Sequence, residues 1–550
     1  MDSDKPLRIV VVGGVAGGAS AATRARRVNA NAEITIFEKG PSVSFANCGL
    51  PYHVGGEIKD RAKLLVATPE LFWKRFRIAT KTEHEVVAID RGSKTVRVRT
   101  TQPSDGPTSP ADVTETDVPY DRLILATGAE PIRPPFAREM PENAFHLWTL
   151  SDMDRLLKFV HDNTVKRVLV IGAGFVGVEV VEQFHRLGLH VDLVERLPQI
   201  LTRLDPIFAK IVAKHMESFG VQVLTGESVA SFELDGPRAI AARLESGKRV
   251  ETDLVVIGAG VRPRTALAAA ADLTIGPMGG IVVNESMQTS DPSIYAVGDI
   301  VEYTNGVTGQ KGLNPLAGPA NRSGRIAGEH AGRGSSEKMG GVMGTSIVRV
   351  FELTAASTGL NEQQLAKSGM AYRTAIVQAA SHASYFPGAE NMHLKVLYAP
   401  QGGRILGAQG VGGEGVDKRI DIMATAMAFQ GTVYDLAQLD LAYAPPYGSA
   451  KDPIHMVAFA AINDLKEHPR LLPPDADLSG YQIVDVRTER ERREMPLEDA
   501  IAIEVDAFAE RWNELDPTRH TVVVCHTGKR AHVGACWLAA KGFKSVANLT

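Results

Sequence analysis

The chain contains three cysteines, Cys48, Cys525 and Cys536, among 550 residues. Three thiols cannot form the disulfide framework of a secreted domain, so a cysteine that matters here is predicted to be catalytic or redox-active in a reducing compartment. Cys48 lies in the segment SVSFANCGLPYH, and no second cysteine follows within that loop. Its oxidised form is therefore predicted to be a mixed disulfide, a persulfide or a sulfenic acid.

Cys525 follows the apolar run TVVV and precedes a predicted helix in TVVVCHTGKRA. A sulfur atom at that place is expected among free backbone N–H groups at the positive end of the helix. Lys529 and Arg530 follow closely, and this arrangement favours a thiolate or a persulfide anion. Cys536, about three helical turns further on, is predicted to be a packed helix residue.

Two glycine loops stand between a predicted strand and a predicted helix, as phosphate-binding loops do. In the second loop Gly172, Gly174 and Gly177 have the spacing G-x-G-x-x-G, which predicts close approach of a pyrophosphate to the helix N-terminus. Glu195 ends the next strand and is expected to accept a hydrogen bond from an adenine-ribose 2′-OH. A carboxylate there repels a 2′-phosphate, so NADH is favoured over NADPH, although Arg196 weakens that preference.

The first loop is an imperfect copy, because Val15 occupies the position of the middle glycine. The strand before it, the helix after it and the carboxylate at the end of the next strand still predict a dinucleotide site. The residues assigned to the cofactor here are Gly13, Gly14, Gly17, Gly18 and Glu38.

The elements that position these residues alternate between strand and helix, which predicts an α/β fold with parallel sheets. From about Met343 the pattern changes to strands followed by one helix, as in an α+β interface domain. The Pro-rich segment 467–474 is predicted to be a linker, and the strand-helix-strand pattern resumes after it as a separate small α/β domain.

The composition excludes several classes of protein. With 44% hydrophobic and 23% charged residues the chain is neither disordered nor collagen-like, and about 150 residues per domain predict three to four domains. A net charge of −4 provides no basic field for nucleic acid or anionic lipid. No apolar run is long enough to predict a membrane span. The apolar run after Lys5 fits a strand and helix better than a signal peptide. We therefore expect a cytoplasmic enzyme, and no metal site is predicted.

Two further segments, LILATGA (123–129) and SIYAVGDI (293–300), resemble the paired signatures of two-dinucleotide-binding flavoproteins. In that family the aspartate at the position of Asp299 holds the ribityl chain of the flavin. The resemblance implies FAD at the first glycine loop and NAD(P)H at the second. It also implies that Cys48 lies beside the flavin, where related disulfide reductases carry C-x-x-x-x-C; here His53 stands in the second position.

The segments SFANCGLPYH, SHASYFPGA (381–389) and YAPPYGSAKDP (443–453) resemble those of coenzyme A disulfide reductases. The resemblance implies a homodimer in which coenzyme A forms a mixed disulfide with the flavin-side cysteine and tyrosines of the partner subunit assist the sulfur chemistry. It also implies that Arg27 contacts coenzyme A phosphates. Ser44 and Asn47 either position the thiol substrate or satisfy loop backbone groups. The candidate tyrosines are Tyr385, Tyr443 and Tyr447.

The pattern Cys525-x-x-Gly528-x-Arg530, with IVDVR upstream at 483–487, resembles rhodanese domains, whose loop cysteine carries sulfane sulfur. The segment MPLEDAIAI replaces the usual Gly-His-Ile element, so an inactive rhodanese fold is the alternative. The family normally continues into a last turn and helix, and we expect the rhodanese-like domain to be truncated at Thr550.

Taken together, these features predict an α/β flavoprotein with FAD and NAD Rossmann-like domains, an α+β dimerisation domain and a C-terminal rhodanese-like domain. The predicted boundaries are 1–150 and 276–340 for the FAD domain, 151–275 for NAD(H), 341–466 for the interface domain, 467–474 for the linker and 475–550 for the rhodanese-like domain.

The predicted activity is NAD(P)H-dependent reduction of coenzyme A persulfide or polysulfide, and more slowly of coenzyme A disulfide, with Cys525 carrying sulfane sulfur. One alternative is an NADH oxidase or peroxidase that cycles Cys48 through sulfenic acid. Another is a sulfurtransferase in which the flavoprotein part serves as a scaffold or redox sensor.

Overall fold

A computed structural model of the chain describes residues 5–102 and 112–550. The chain divides into two units, the first comprising the described residues up to Leu201 with Met216–Gly344, and the second Thr202–His215 with Thr345–Thr550. None of the helices in the described ranges is both long and apolar enough to span a membrane.

The first unit contains two parallel five-stranded sheets, and the central strand of each sheet is strongly apolar. In the first sheet the strand Arg8–Val12 lies in the centre, which its run of β-branched valines favours. The order of that sheet is Ile294–Ala296, Arg122–Leu125, Arg8–Val12, Glu33–Phe37 and Ile78–Lys81. The order of the second is Gln222–Thr225, His190–Glu195, Arg167–Ile171, Leu254–Ile257 and Ala144–Phe145.

Small residues bring two helices of the first unit close together. A Cβ atom at Gly324 would lie 2.3 Å from the Gly17 carbonyl oxygen, and one at Gly328 would lie 2.1 Å from that of Ala21. The helix that follows the first glycine loop therefore packs backbone to backbone against the helix Ala317–Arg333. This contact fixes the direction of the first glycine loop.

Antiparallel hairpins supplement these sheets, and no sequence motif predicted them. Two three-stranded sheets consist of His84–Asp90, Thr95–Gln102 and Asp112–Pro119, and of Val229–Asp235, Arg238–Leu244 and Arg249–Glu251. Two pairs consist of Ala129–Pro131 with Val261–Pro263, and of Glu302–Thr304 with Lys311–Leu313.

The second unit contains an antiparallel sheet and a parallel sheet. The order of the antiparallel sheet is Ser346–Val350, Leu353–Gly359, Ile405–Gly412, Asn391–Tyr398 and Arg373–Ala380. The segment Thr202–His215 is fastened to this sheet through Asp205, whose carboxylate lies 2.7 Å from the buried Lys395 ammonium and accepts a 2.8 Å hydrogen bond from Gln409.

The parallel sheet shows that the segment predicted as a linker contributes a strand. The order is Arg470–Leu472, Ser545–Leu549, His520–Val524, Gln482–Asp485 and Ile501–Ala502. The extended backbone that the prolines favour fits an edge strand as well as a linker. Leu471 N–H also donates to the buried carboxylate of Asp464 at 2.8 Å, and Tyr398 O–H donates to the same carboxylate at 2.8 Å, so this strand is anchored to the antiparallel sheet.

Helices connect and cover these sheets. The described α-helices are Ala16–Val28, Leu50–Val54, Pro69–Phe76, Leu150–Asp162, Phe175–Arg186, Pro206–Ser218, Ala266–Ala270, Ala317–Arg333, Glu362–Lys367, Val416–Ala428, Val433–Leu436, Pro453–Leu465, Glu489–Glu494, Phe508–Arg511 and Lys529–Ala540.

Candidate active site

Both glycine loops have the same backbone geometry. Gly13 has φ +96°, and Gly172, which begins the second loop, has φ +101°. A Cβ atom at Gly18 would lie 1.9 Å from the Gly13 carbonyl oxygen, and one at Gly177 would lie 1.9 Å from that of Gly172. The first and third glycines are therefore required for the turn itself.

The middle position behaves differently. Gly174 is exposed, and a Cβ atom there would meet no atom of residues 5–102 or 112–550 within 4 Å. Packing within the chain does not require a glycine at that place, whereas close approach of a pyrophosphate to the backbone does. The geometry of the second loop thus fits a dinucleotide. In the first loop Gly14 and Gly17 are buried, and their missing side chains make room for Val43 and Val297.

Two glutamates brace the glycine loops in the same way. Glu38 accepts hydrogen bonds from Gly14 N–H at 2.9 Å and Gly40 N–H at 2.8 Å. Glu195 accepts them from Ala173 N–H at 2.7 Å and Leu197 N–H at 2.8 Å. Each carboxylate oxygen has a further lone pair that a ribose hydroxyl can use. The predicted ribose ligands therefore also hold the loops in shape.

Asp299 lies in the short turn Gly298–Ile300 of the first unit. Its carboxylate makes no hydrogen bond to another residue within 5–102 or 112–550, and burial raises its pKa to about 6. A largely enclosed carboxylate without a partner is costly unless a ligand satisfies it. Sugar-alcohol hydroxyls such as those of a ribityl chain are suitable donors, so the site fits FAD.

Cys48 lies in the short turn Asn47–Gly49, immediately before the helix Leu50–Val54. It is a free thiol with a solvent-exposed surface. Asn47 Oδ1 accepts a hydrogen bond from Cys48 N–H at 3.0 Å, and Ser44, at φ +46°, donates its N–H to the Gly14 carbonyl at 2.8 Å. The Asn47 side chain thus satisfies a loop backbone group in this structure, whereas the bond made by Ser44 involves only its backbone.

The surroundings of Cys48 favour the neutral thiol. Although part of the Cys48 side chain is open to solvent, the protein around it limits the hydration of the sulfur and raises the pKa of Cys48, and the negative charges of Glu179 and Asp299 raise it further. Tyr52 O–H donates to Glu179 at 2.9 Å and so links the cysteine helix to the helix of the second glycine loop. No role was predicted for Glu179 from sequence. The signal that was available is its place two residues after the last glycine of that loop.

Arg27, which is predicted to contact coenzyme A phosphates, has an exposed side chain. The Arg27 guanidinium lies over the Phe76 ring at 5.2 Å from its centroid and has no carboxylate partner among the residues that the structure describes. An unpaired guanidinium on a surface is chemically suited to a phosphate.

In the second unit, the structure brings two of the three candidate tyrosines together. The hydroxyl groups of Tyr385 and Tyr443 lie 3.1 Å apart, although 58 residues separate them in sequence. Tyr447 lies in the same loop as Tyr443, and all three side chains are exposed. The hydrogen bond with Tyr443 raises the pKa of Tyr385 above that of an ordinary tyrosine.

The loop of Cys525 lies between the strand His520–Val524 and the helix Lys529–Ala540. Cys525 Sγ accepts a hydrogen bond from Ala531 N–H at 3.4 Å, as expected for sulfur at a helix N-terminus. Gly528 has φ +72° and makes the turn, while Lys529 is exposed.

Arg530 is held by a partner that was not predicted from sequence. Its guanidinium donates to both oxygens of Glu491 at 2.7 and 2.6 Å. This pairing holds the pKa of Glu491 far below its usual range. Cys536 is half-buried rather than fully packed, with its Sγ 3.6 Å from His532 Nε2, and burial raises its pKa.

Comparison with known protein families shows to which family the chain belongs. The family model for pyridine nucleotide-disulphide oxidoreductases matches residues 7–323, that for the dimerisation domain of these oxidoreductases matches 345–452, and that for rhodanese-like domains matches 474–550. The chain therefore belongs to the pyridine nucleotide-disulphide oxidoreductase family.

Individual proteins that the chain resembles are described more specifically than the family. The chain is 36% identical to the coenzyme A disulfide reductase of Staphylococcus aureus strain JH9 over 454 residues, which are 82% of this chain and 99% of the relative. Among solved structures it resembles reduced Bacillus anthracis CoADR-RHD, with 39% identity, a TM-score of 0.93, and 99% and 97% of the two chains covered. It also resembles a NAD-dependent persulfide reductase from A. fulgidus, with 36% identity, a TM-score of 0.91, and 99% and 98% covered.

These findings confirm the predicted fold class and the resemblance that implied it. The protein is an oxidoreductase with the two-dinucleotide-binding flavoprotein fold, a dimerisation domain and a C-terminal rhodanese-like domain.

Proposed function

We propose that this oxidoreductase uses NAD(P)H, with NADH preferred, to reduce coenzyme A persulfide or polysulfide and, more slowly, coenzyme A disulfide. The observation that carries the proposal is the solitary thiol of Cys48. It is free, exposed and influenced by the unpaired carboxylate of Asp299, which we assign to the flavin. Because its loop holds no second cysteine, the other sulfur atom must come from the substrate.

Cys48 performs the sulfur chemistry in two steps. Its thiolate attacks the coenzyme A sulfur of the persulfide, forms the mixed disulfide and releases sulfide; with coenzyme A disulfide the leaving group is coenzyme A thiolate. FAD bound at the first glycine loop would take a hydride from NAD(P)H and supply two electrons to the mixed disulfide. Cleavage of the S–S bond then returns Cys48 to the thiolate and leaves coenzyme A as a thiolate that needs a proton.

The tyrosine pair supplies that proton. In the proposed homodimer, Tyr385 of the partner subunit and Tyr443 of the partner subunit donate to the departing sulfur, with Tyr447 as a further candidate. The 3.1 Å contact between the two hydroxyls supports this role, because it holds two phenol O–H groups together so that one can donate to the sulfur while the other donates to its neighbour. Arg27, which is exposed and has no carboxylate partner among the described residues, binds coenzyme A phosphates.

The rhodanese-like loop supplies the substrate. Cys525 carries sulfane sulfur as a persulfide and transfers it to coenzyme A, which explains why a sulfur carrier is fused to a reductase. The backbone N–H of Ala531 donates to Cys525 Sγ at 3.4 Å and is placed to hold a sulfur atom there. We place the enzyme in the cytoplasm, where thiols remain reduced.

The test replaces Cys48 by serine in the flavin-containing enzyme. C48S is expected to lose NADH-dependent sulfide release from coenzyme A persulfide by at least about a thousandfold, since serine cannot form the mixed disulfide. Reduction of ferricyanide by NADH, which bypasses the thiol, should remain. The matched control C525S should retain reduction of coenzyme A disulfide and lose only sulfur transfer from thiosulfate. Sulfide release by C48S would contradict the mechanism.

A further inference from the structure

Arg419 is a fully buried arginine in the helix Val416–Ala428, with 1% of its surface exposed. Its Nε and Nη2 donate to the two oxygens of Asp452 at 3.2 and 2.7 Å. Nη2 also donates to the Ser381 carbonyl at 2.9 Å, and Nη1 donates to the Gly415 carbonyl at 3.2 Å. A buried charge is tolerated when its donors are satisfied in this way, but replacing it with apolar residues often stabilises a protein. Stability alone therefore does not explain the arginine.

The partners of Arg419 lie at the bases of two loops. Ser381 follows the strand Arg373–Ala380 and begins the loop that carries Tyr385. Asp452 ends the segment that carries Tyr443 and caps the next helix by accepting a hydrogen bond from Ile454 N–H at 3.0 Å. One guanidinium group thus fastens the end of one tyrosine loop to the end of the other.

Among the described residues, few other hydrogen bonds join these loops. Between the two bases and the phenols, the backbone hydrogen bond from Ala383 N–H to the Gly448 carbonyl at 3.0 Å joins the loops. At their tips the hydrogen bond between them is the 3.1 Å one that joins the hydroxyls of Tyr385 and Tyr443. A rigid planar fork at the base limits how far the two exposed phenols can separate.

The absence of a side chain at Gly415 leaves space for the Arg419 guanidinium. Its φ is +81°, and a Cβ atom there would lie 2.3 Å from Arg419 Nη1. From sequence, the glycines of VGGEGVDKRID carry no predicted chemistry. In the structure this one makes room for the arginine that joins the tyrosine loops.

We propose that Arg419 is a positioning residue for sulfur reduction, which acts by holding Tyr385 and Tyr443 in contact through Asp452 and the Ser381 carbonyl. The proposal rests on the proposed role of the tyrosine pair as proton donor. It assigns Arg419 to the sulfur half of the reaction and not to the transfer of electrons from NAD(P)H to the flavin.

The test compares R419K in two backgrounds, the natural chain and Y385F/Y443F, as flavin-containing enzymes. Lysine keeps the charge but loses the fork that joins Asp452 and Ser381. In the natural background R419K should lower kcat for coenzyme A disulfide about tenfold, because small displacements of a donor are costly, while KM for NADH and ferricyanide reduction stay unchanged. In the Y385F/Y443F background R419K should cost less than about twofold more, because the contact it supports is already gone.

R373K is the matched control, since Arg373 pairs with the buried Asp464 in the same unit and neither residue borders the tyrosine loops. It should leave the kcat for coenzyme A disulfide unchanged. D452N is the second variant if R419K yields too little folded enzyme, because asparagine still caps the helix while the ion pair is lost. D452N is likewise expected to lower kcat in the natural background and to have little further effect in the Y385F/Y443F background.

Equal losses in the two backgrounds would overturn the proposal, as would a parallel fall in ferricyanide reduction or an unchanged kcat in both R419K and D452N. Failure of the proposed function gives a different result. If Y385F/Y443F itself keeps full activity, the tyrosines are not the proton donor, whatever R419K does.

Discussion

At the scale of single residues, the two thiols that we propose to react have different polar neighbours. Cys48 faces the carboxylates of Glu179 and Asp299, which oppose ionisation of its thiol. Cys525 Sγ accepts a hydrogen bond from a backbone N–H at a helix N-terminus. In the proposed mechanism Cys525 carries a persulfide, whereas Cys48 attacks the substrate sulfur beside two carboxylates.

Removing the charge of Glu179 is expected to make Cys48 more acidic. Since that carboxylate raises the pKa of the thiol, E179Q should move the pH profile of Cys48 alkylation by iodoacetamide to lower pH. Below the pKa the thiol is protonated and unreactive, so at a fixed mildly alkaline pH the variant should react several-fold faster. Mass spectrometry of the Cys48 peptide without NADH measures the rate, with Cys525 in the same sample as the internal control. A shift to higher pH would contradict the assignment.

At the scale of elements, the structure distinguishes two reasons for glycine in the G-x-G-x-x-G motif. One is the tight turn of the loop, and the other is room for a ligand beside the backbone. Gly177 has no side chain because the loop turns back on itself, with a Cβ position 1.9 Å from the Gly172 carbonyl oxygen. A Cβ atom at Gly174 would meet nothing within 4 Å among the described residues, so the fold does not account for this glycine. The same motif therefore contains two glycines that the turn requires and one that we assign to the pyrophosphate.

Two alanine variants distinguish these roles. G174A should unfold at nearly the same temperature as the natural chain, because its Cβ meets no atom within 4 Å, while KM for NADH rises about tenfold through contact with the pyrophosphate. G177A should lose about 1–3 kcal/mol of stability, since backbone must move to admit the methyl group. Thermal unfolding and NADH kinetics on both variants make the comparison. Equal destabilisation would contradict it.

At the scale of the whole molecule, the proposed function needs two copies of the chain. The tyrosine pair belongs to the second unit, whereas Cys48 and the glycine loops belong to the first. The proposed homodimer completes each site with the tyrosines of the partner subunit, and the matched dimerisation domain supports it.

Mixed dimers test whether the site is shared between subunits. C48S subunits, which are nearly inactive, and Y385F/Y443F subunits, which keep a low but measurable kcat, should together exceed the activity of both parents when they are unfolded, mixed and refolded with FAD. In a shared arrangement one of the two sites in a mixed dimer combines an intact Cys48 with intact tyrosines. If the tyrosines act within their own subunit, no site is complete and the mixture does not exceed its parents. Coenzyme A disulfide reduction, with each refolded parent as control, is the measurement.

Much of the fold was predictable because its signals are local. The glycine loops, the carboxylates that end the next strands and the solitary thiol each lie within one short segment, and the structure shows the loops in the predicted strand-turn-helix form. The antiparallel hairpins were missed, since the glycine fingerprints carry no information about them. The segment 467–474 was interpreted as a linker because the same proline-favoured backbone fits a linker and an edge strand.

The sequence by itself determined which atoms can react: a thiol without a resolving partner, two dinucleotide loops and a second thiol before a helix. Only the tertiary structure decided what surrounds those atoms. Glu179 affects Cys48 from another helix, Glu491 holds Arg530 from 39 residues away, and Arg419 joins two loops whose tyrosines are 58 residues apart. Such contacts follow from sheet register and helix packing, which bring distant segments together, so no spacing along the chain reveals them.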